Sequence, residues 1–91
     1  MKVLIVDDNK TFLMQMKKYL ALKKFDVDIV DKGKKALEMM NKGYDVILLD
    51  LKMPDLSGIE IMKNAKRKGI KTNFIVITGY GEVESAVEAM P

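Results

Sequence analysis

Four short apolar runs divide the chain, and each of them ends at a polar residue. They occupy residues 3–6, 27–30, 46–49 and 74–77. Runs of this length, bounded by polar residues, are typical of strands that are buried on both faces of a parallel sheet. The second run is interrupted by Asp28, which indicates a strand at the edge of the sheet.

Between these runs the apolar residues recur at helical spacing. The pattern predicts helices over residues 11–22, from about residue 33 to Gly43, and over residues 58–68 and 82–90. The positions that carry it in the first three helices are Phe12, Leu13, Met16, Tyr19, Leu20, Ala36, Leu37, Met40, Ile59, Met62 and Ala65. Met53-Pro54 predicts a turn, and Ser57 with Glu60 forms an S-x-x-E helix-start signature. The methionines in the helices are interpreted as core residues.

Strand and helix alternate four times, with no linker or repeat between them. This alternation predicts an α/β domain with parallel strands, right-handed crossovers and helices on both faces of the sheet. At 91 residues the chain is predicted to be a single domain.

The composition excludes several kinds of site. The chain has no cysteine and no histidine, so disulfides, thiolate metal sites and the usual zinc ligands are excluded. No apolar stretch approaches the length of a membrane span, and the acidic start is unlike a signal peptide, so a cytoplasmic protein is expected. The net charge of +3 arises from lysines predicted to lie on solvated helix faces. Nucleic-acid binding is the alternative, and the absence of aromatics among the lysine doublets disfavours it.

Polar side chains follow three of the apolar runs. Asp7 and Asp8 follow the first, Asp50 the third and Thr78 the fourth. In the strand order 2-1-3-4 the first and third strands are neighbours, so their carboxylates would meet in one crevice. Mg²⁺ would relieve their repulsion, and Thr78 would reach a phosphoryl oxygen. Alternatively, Asp7 and Asp8 form only a turn and a helix cap, and Thr78 only a turn hydroxyl.

Three segments resemble the receiver domain of two-component response regulators. They read IVDD, VILLDLKMPDLSG and FIVITGYG. The resemblance implies a flavodoxin-like fold in which Asp50 accepts a phosphoryl group from a histidine kinase. It implies further that Asp7, Asp8, Asp50 and the backbone carbonyl of Lys52 hold Mg²⁺, that Thr78 is the switch hydroxyl and that the Gly79 N–H contacts the phosphoryl group. Such a domain is not an enzyme beyond self-catalysed phosphoryl transfer and autodephosphorylation.

The chain departs from the family pattern after the fourth helix. A receiver continues with a fifth strand, a lysine at its end and a fifth helix, whereas this sequence stops at Pro91. The domain is therefore predicted to be incomplete at its C-terminus, with an exposed fourth-strand edge that favours a homo-oligomer. An alternative function is a truncated or engineered receiver fragment that acts as a self-associating scaffold without phosphorylation switching. An aspartate-based phosphohydrolase is disfavoured, because it would need an acid at Lys52.

Overall fold

The computed structural model describes residues 1–77, which form a parallel sheet with helices on both faces. The strands are β1 (Lys2–Val6), β2 (Asp26–Val30), β3 (Val46–Asp50) and β4 (Asn73–Ile77). The helices are α1 (Lys10–Leu22), α2 (Gly33–Met39), which continues into a 3-10 turn (Met40–Lys42), and α3 (Gly58–Arg67). Within this part of the chain no helix is both long and apolar enough to cross a bilayer. The helix predicted for residues 82–90 lies outside the described residues.

The strand order is β2-β1-β3-β4, so the predicted order 2-1-3-4 is confirmed. β1 occupies the centre, where Val6 is in register with Val30 of β2 on one side and with Leu49 of β3 on the other. Asp50 is in register with Ile77 of β4. The chain reverses its direction of progress across the sheet between β1 and β3, which is the topological switch point of a flavodoxin-like fold.

The larger core lies between the sheet and the pair of helices α2 and α3. Its largest fully buried members are Leu4, Val6, Met40, Ile47, Leu49 and Ile61. Ala36 of α2 and Ala65 of α3 are small enough to let both helices approach the strands closely. On the strands, every second residue contributes an apolar side chain to this core, because successive side chains of a strand point to opposite faces of the sheet.

The opposite face is covered by α1. Leu13 of α1 packs with Val3 and Ile5 of β1 and Val27 of β2. Val46 and Leu48, which lie on the same face of β3, are only half-buried. The prediction that β3 is buried on both faces is therefore wrong within residues 1–77, because α1 packs chiefly over β1 and β2.

The predictions of which helical residues face inward need correction on α1 and α3. Tyr19 keeps 56% of its surface exposed, and the Lys23 Nζ atom lies 5.8 Å from its ring centroid. Met14 is 62% exposed, so not every helical methionine is a core residue, although Met40 is buried as predicted. On α3 Ala65 is buried as predicted, and so is Ile61, which was not among the predicted inward positions. The buried apolar face of α1 is narrow because that helix covers only part of the sheet.

Candidate metal centre at the carboxyl edge of the sheet

Three aspartates converge at the carboxyl edge of the two central strands. Asp7 follows the last residue of β1, and Asp50 is the last residue of β3. Because Val6 and Leu49 are paired across these strands, the next residue of each strand lies at the same level of the sheet. One carboxylate oxygen from each of Asp7, Asp8 and Asp50 lies within 4.8 Å of the other two. The crevice at the switch point is therefore lined by three carboxylate groups.

Asp7 is the buried member of this cluster. Only 7% of its surface is exposed, and its backbone N–H donates to the Val30 carbonyl at 3.2 Å. Burial raises the pKa of Asp7 above 3.8, and the charge of Asp8 raises it further, while the hydrogen bond from Asn9 acts in the opposite direction. The Asn9 N–H donates to Asp7 Oδ1 at 2.8 Å. The ionised form of Asp7 is thus destabilised by its protein surroundings, which is what a bound cation would correct.

Asp50 and Asp8 complete the cluster from less buried positions. The backbone N–H of Lys52 donates to Asp50 Oδ1 at 3.0 Å, so the turn after β3 orients the carboxylate. Asp8 is exposed and precedes Asn9, whose side chain accepts from the Phe12 N–H at 3.1 Å and caps α1. The alternative role of helix cap therefore belongs to Asn9. The alternative role in a turn is present at Asp7, whose Oδ1 accepts from the Asn9 N–H, and Asp7 is a member of the acidic cluster as well.

The donor set fits a hard divalent cation. All three side chains offer carboxylate oxygens, and the chain contains neither the thiolates nor the imidazoles that favour zinc or copper. Mg²⁺ binds through one or two carboxylates, keeps several waters and is commonly shared with a phosphate group. The backbone of Lys52 lies next to this cluster, since its N–H contacts Asp50. The carbonyl of the same residue is the additional ligand that the resemblance to receiver domains implies, and this role stays a prediction.

Two predicted site residues, Thr78 and Gly79, lie outside the described residues. The structure shows only the residue that precedes them, Ile77, which is in register with Asp50. Their predicted roles stay predictions.

Asp31, which also follows a strand, lies apart from the acidic cluster. It lines a groove of about 320 Å³ between α1, the end of β2 and α2, together with Leu13, Met14 and Lys35. Its carboxylate is paired with Lys10 Nζ at 3.8 Å. Asp31 is therefore not a member of the acidic cluster.

Sequence reasoning missed one residue near the site. Asp55, in the loop after β3, accepts hydrogen bonds from the first residues of α2. One local signal was present, because Lys32, which precedes α2, offers no oxygen with which to cap that helix.

Comparison with known proteins shows which family the chain resembles. The model of the response regulator receiver domain family matches residues 3–91. The chain is 34% identical to the regulatory protein AtoC of Escherichia coli (strain K12) over 98% of its length, and it spans only 20% of that protein. It is thus much shorter than the curated relatives that it matches.

Solved structures agree in fold. A response regulator receiver domain protein from Clostridium thermocellum superimposes with a TM-score of 0.90 at 30% identity, over 98% of this chain and 73% of that one. The response regulator TrrA from Thermotoga maritima, solved in complex with Mg²⁺-BeF, superimposes with a TM-score of 0.84 at 28% identity, over 97% of this chain and 77% of that one.

Proposed function

Since the chain belongs to the response regulator receiver family, we propose that residues 1–91 form one receiver domain in which Asp50 accepts a phosphoryl group. Receiver domains of this family are signalling modules of two-component systems and interact with histidine kinases. The single observation that carries the proposal is the convergence of Asp7, Asp8 and Asp50 within 4.8 Å at the switch point. Of these, Asp50 is half-buried at the end of β3.

In the proposed reaction an oxygen of Asp50 attacks the phosphorus of a kinase phosphohistidine. A new P–O bond forms as the P–N bond breaks, and the electron pair of that bond leaves with the imidazole. Mg²⁺, when bound, neutralises the charge on the transferred group and on the surrounding carboxylates. Asp7, Asp8, Asp50 and the Lys52 carbonyl would hold it, and the Lys52 N–H orients the Asp50 carboxylate.

The remaining site residues are assigned by position along the chain. Thr78 follows Ile77, the partner of Asp50 in the sheet, so we propose its hydroxyl as the group that turns toward the phosphoryl oxygens. The N–H of Gly79 would contact the same oxygens. The added charge on Asp50 would then bias the segment after β4 between two arrangements.

The proposal is tested by replacing Asp50 with asparagine and treating the chain with acetyl phosphate and Mg²⁺. We expect Asp50→Asn to abolish the mass increase caused by acyl-phosphate formation, because the amide is not a nucleophile. It should also weaken Mg²⁺ binding in a calorimetric titration, because one anionic ligand is lost. The measurements are intact-mass spectrometry and titration calorimetry.

Asp31→Asn is the matched control for this experiment. It removes the same charge from another strand end outside the cluster, where Asp31 is paired with Lys10. This variant should label and bind Mg²⁺ as the wild type does. Labelling that survives Asp50→Asn, or that is lost equally in Asp31→Asn, would refute the assignment of Asp50.

A second candidate function is self-association without phosphorylation switching. The observation in its favour is the surface of β4, which pairs with β3 on one side and has no partner strand among residues 1–77 on the other. Ile75 in this strand is 54% exposed. Such an edge is suited to pairing with another chain, here a second copy.

A further inference from the structure

Asp55 joins the loop after β3 to the beginning of α2. Its two carboxylate oxygens accept separate backbone hydrogen bonds, at 2.9 Å from the Gly33 N–H and at 3.1 Å from the Lys34 N–H. These hydrogen bonds are the main reason why the pKa of Asp55 is lowered below 3.8. A residue 22 positions along the chain from Gly33 therefore supplies the acceptors that the first N–H groups of this helix need.

The other two α-helices of residues 1–77 obtain this acceptor locally. Asn9 accepts from the Phe12 N–H to cap α1, and Ser57 accepts from the Glu60 N–H to cap α3. At the corresponding position of α2, the side chain of Lys32 makes no capping hydrogen bond. The beginning of α2 thus depends on the neighbouring loop rather than on its own sequence.

The loop and α2 are also in close steric contact. A Cβ atom built on Gly33 would lie 2.9 Å from both the Cβ and the carbonyl oxygen of Leu56, so only glycine permits this approach. Asp55 and Leu56 therefore hold the same point of α2, one through hydrogen bonds and the other through contact.

The same loop is fixed at the acidic cluster. The Gly58 N–H donates to the Leu51 carbonyl at 2.9 Å. A Cβ atom on Gly58 would lie only 2.6 Å from the carbonyl oxygen of Asp50, so the two ends of the loop are packed together. Lys52, whose carbonyl is the proposed metal ligand, lies between these contacts and Asp55.

We propose that Asp55 is a positioning residue that couples the beginning of α2 to the metal site. By tying the loop to α2, it holds the Lys52 carbonyl at a fixed position relative to Asp50. The inference rests on the proposed function, because it assumes that the acidic cluster binds Mg²⁺. Coupling between two sites is reciprocal, so Mg²⁺ binding must in turn strengthen the contact between Asp55 and α2.

The test measures both directions of this coupling in the 91-residue chain. In the wild type we expect Mg²⁺ to slow amide hydrogen exchange at Gly33 and Lys34, as followed by NMR. Asp55→Ala removes both acceptors, and we expect it to weaken Mg²⁺ binding by about fivefold or more, the usual lower range of site coupling. The slowing of exchange by Mg²⁺ in the wild type should be of comparable size.

Two further variants separate positioning from charge. Asp55→Asn removes the charge and keeps one acceptor oxygen, so its Mg²⁺ affinity should fall between those of the wild type and Asp55→Ala. Glu38→Ala removes a carboxylate from the exposed side of α2 and should leave the Mg²⁺ affinity unchanged. Urea unfolding of each variant shows whether the chain is folded during the titration. If Asp55→Ala does not fold, the comparison of Asp55→Asn with the wild type tests the proposal.

Each contrary result has a distinct meaning. If Asp55→Asn and Asp55→Ala weaken Mg²⁺ binding equally, the effect of Asp55 is due to its charge alone and the proposed positioning role is refuted. Unchanged Mg²⁺ affinity in Asp55→Ala, with faster exchange at Gly33, would reduce Asp55 to a helix cap and refute the coupling. A wild-type chain that binds no Mg²⁺ would refute the proposed function and this coupling together.

Discussion

At the residue scale, Asp7 shows that its proposed role in binding a cation conflicts with the stability of the protein. Its side chain is almost fully buried next to a second carboxylate, and burial with that neighbouring charge raises its pKa. A residue chosen for stability alone would be apolar at this position, because burying a charge without a partner is costly. The Asn9 N–H offsets only part of this cost. A divalent cation bound in the folded state, as proposed, would stabilise the ionised form of this buried carboxylate.

Tyr44 makes a contact that stabilises the fold. It lies before the first residue of β3, at the end of the sheet opposite to the acidic cluster. Its buried phenol donates to Asp28 Oδ2 at 2.6 Å, and the Lys2 Nζ atom lies 4.9 Å from its ring centroid. Burial, followed by the hydrogen bond to Asp28, raises the pKa of Tyr44 well above 10.0. This contact also explains how Asp28 is accommodated on the core side of β2.

The raised pKa of Tyr44 predicts an alkaline loss of stability. Above the unfolded-state pKa of about 10, the native state holds a proton that the unfolded chain releases. The free energy of unfolding should therefore be maintained below that pH and should fall above it, by at most about 1.4 kcal/mol per pH unit from this group. Urea unfolding as a function of pH measures the effect.

Tyr44→Phe should remove this alkaline dependence. It should also lower the free energy of unfolding at neutral pH by about 1–3 kcal/mol, because Asp28 loses its donor. Tyr19→Phe, which alters an exposed ring, is the control and should retain the difference between neutral and alkaline stability. An alkaline profile that is identical in wild type and Tyr44→Phe would contradict this account.

At the scale of elements, the start of α3 follows the sequence directly. The S-x-x-E signature predicts a cap at Ser57, and the Ser57 side chain accepts from the Glu60 N–H at 3.2 Å. The contact is local, since both residues belong to the same turn. Gly58, by contrast, is required because α3 begins against the Asp50 carbonyl, a contact made across the loop.

Loss of the cap at Ser57 should destabilise the domain. We expect Ser57→Ala to lower the free energy of unfolding by about 1 kcal/mol, because the Glu60 N–H loses its acceptor. Ser57→Asn supplies another capping oxygen and should restore most of this loss. Urea unfolding midpoints compare the two variants, and equal midpoints for Ser57→Ala and the wild type would show that water replaces the cap at no cost.

At the scale of the molecule, the two faces of the sheet are covered unequally within residues 1–77. Helices α2 and α3 bury the face of β1 and β3 that they cover and leave Phe74 of β4 half-buried. On the other face α1 leaves Leu48 half-buried and Ile75 largely exposed. Parallel sheets are usually covered on both faces. The uncovered part continues to the β4 edge, which is why self-association is proposed there.

The prediction at this scale concerns the oligomeric state. We expect sedimentation equilibrium of the wild-type chain at micromolar concentration to show a dimer or larger species. Ile75→Lys should shift it toward the monomer, because an edge lysine disfavours strand pairing. Leu22→Lys, at an exposed apolar residue of α1, should leave the association unchanged. A folded wild-type monomer would refute the proposal.

The sequence by itself determined the features that depend on near neighbours. The apolar runs predicted the four strands to within a residue, and the strand–helix alternation predicted a parallel sheet. The order β2-β1-β3-β4 is the one expected of a flavodoxin-like fold. Because parallel strands end at one edge, the convergence of Asp7, Asp8 and Asp50 followed from that order. These predictions succeeded because strand pleat, helix period and crossover handedness are local or general rules.

Only the tertiary structure decided the contacts between segments distant in sequence. The bonds from Gly33 to Asp55 and from Tyr44 to Asp28 depend on how loops and strand ends meet, and the residue types alone permit many other partners. The exposure of Tyr19 and the burial of Ile61 likewise depend on how much of the sheet each helix covers. Patterns along the chain predict which residues can face inward, but packing between elements determines which of them do.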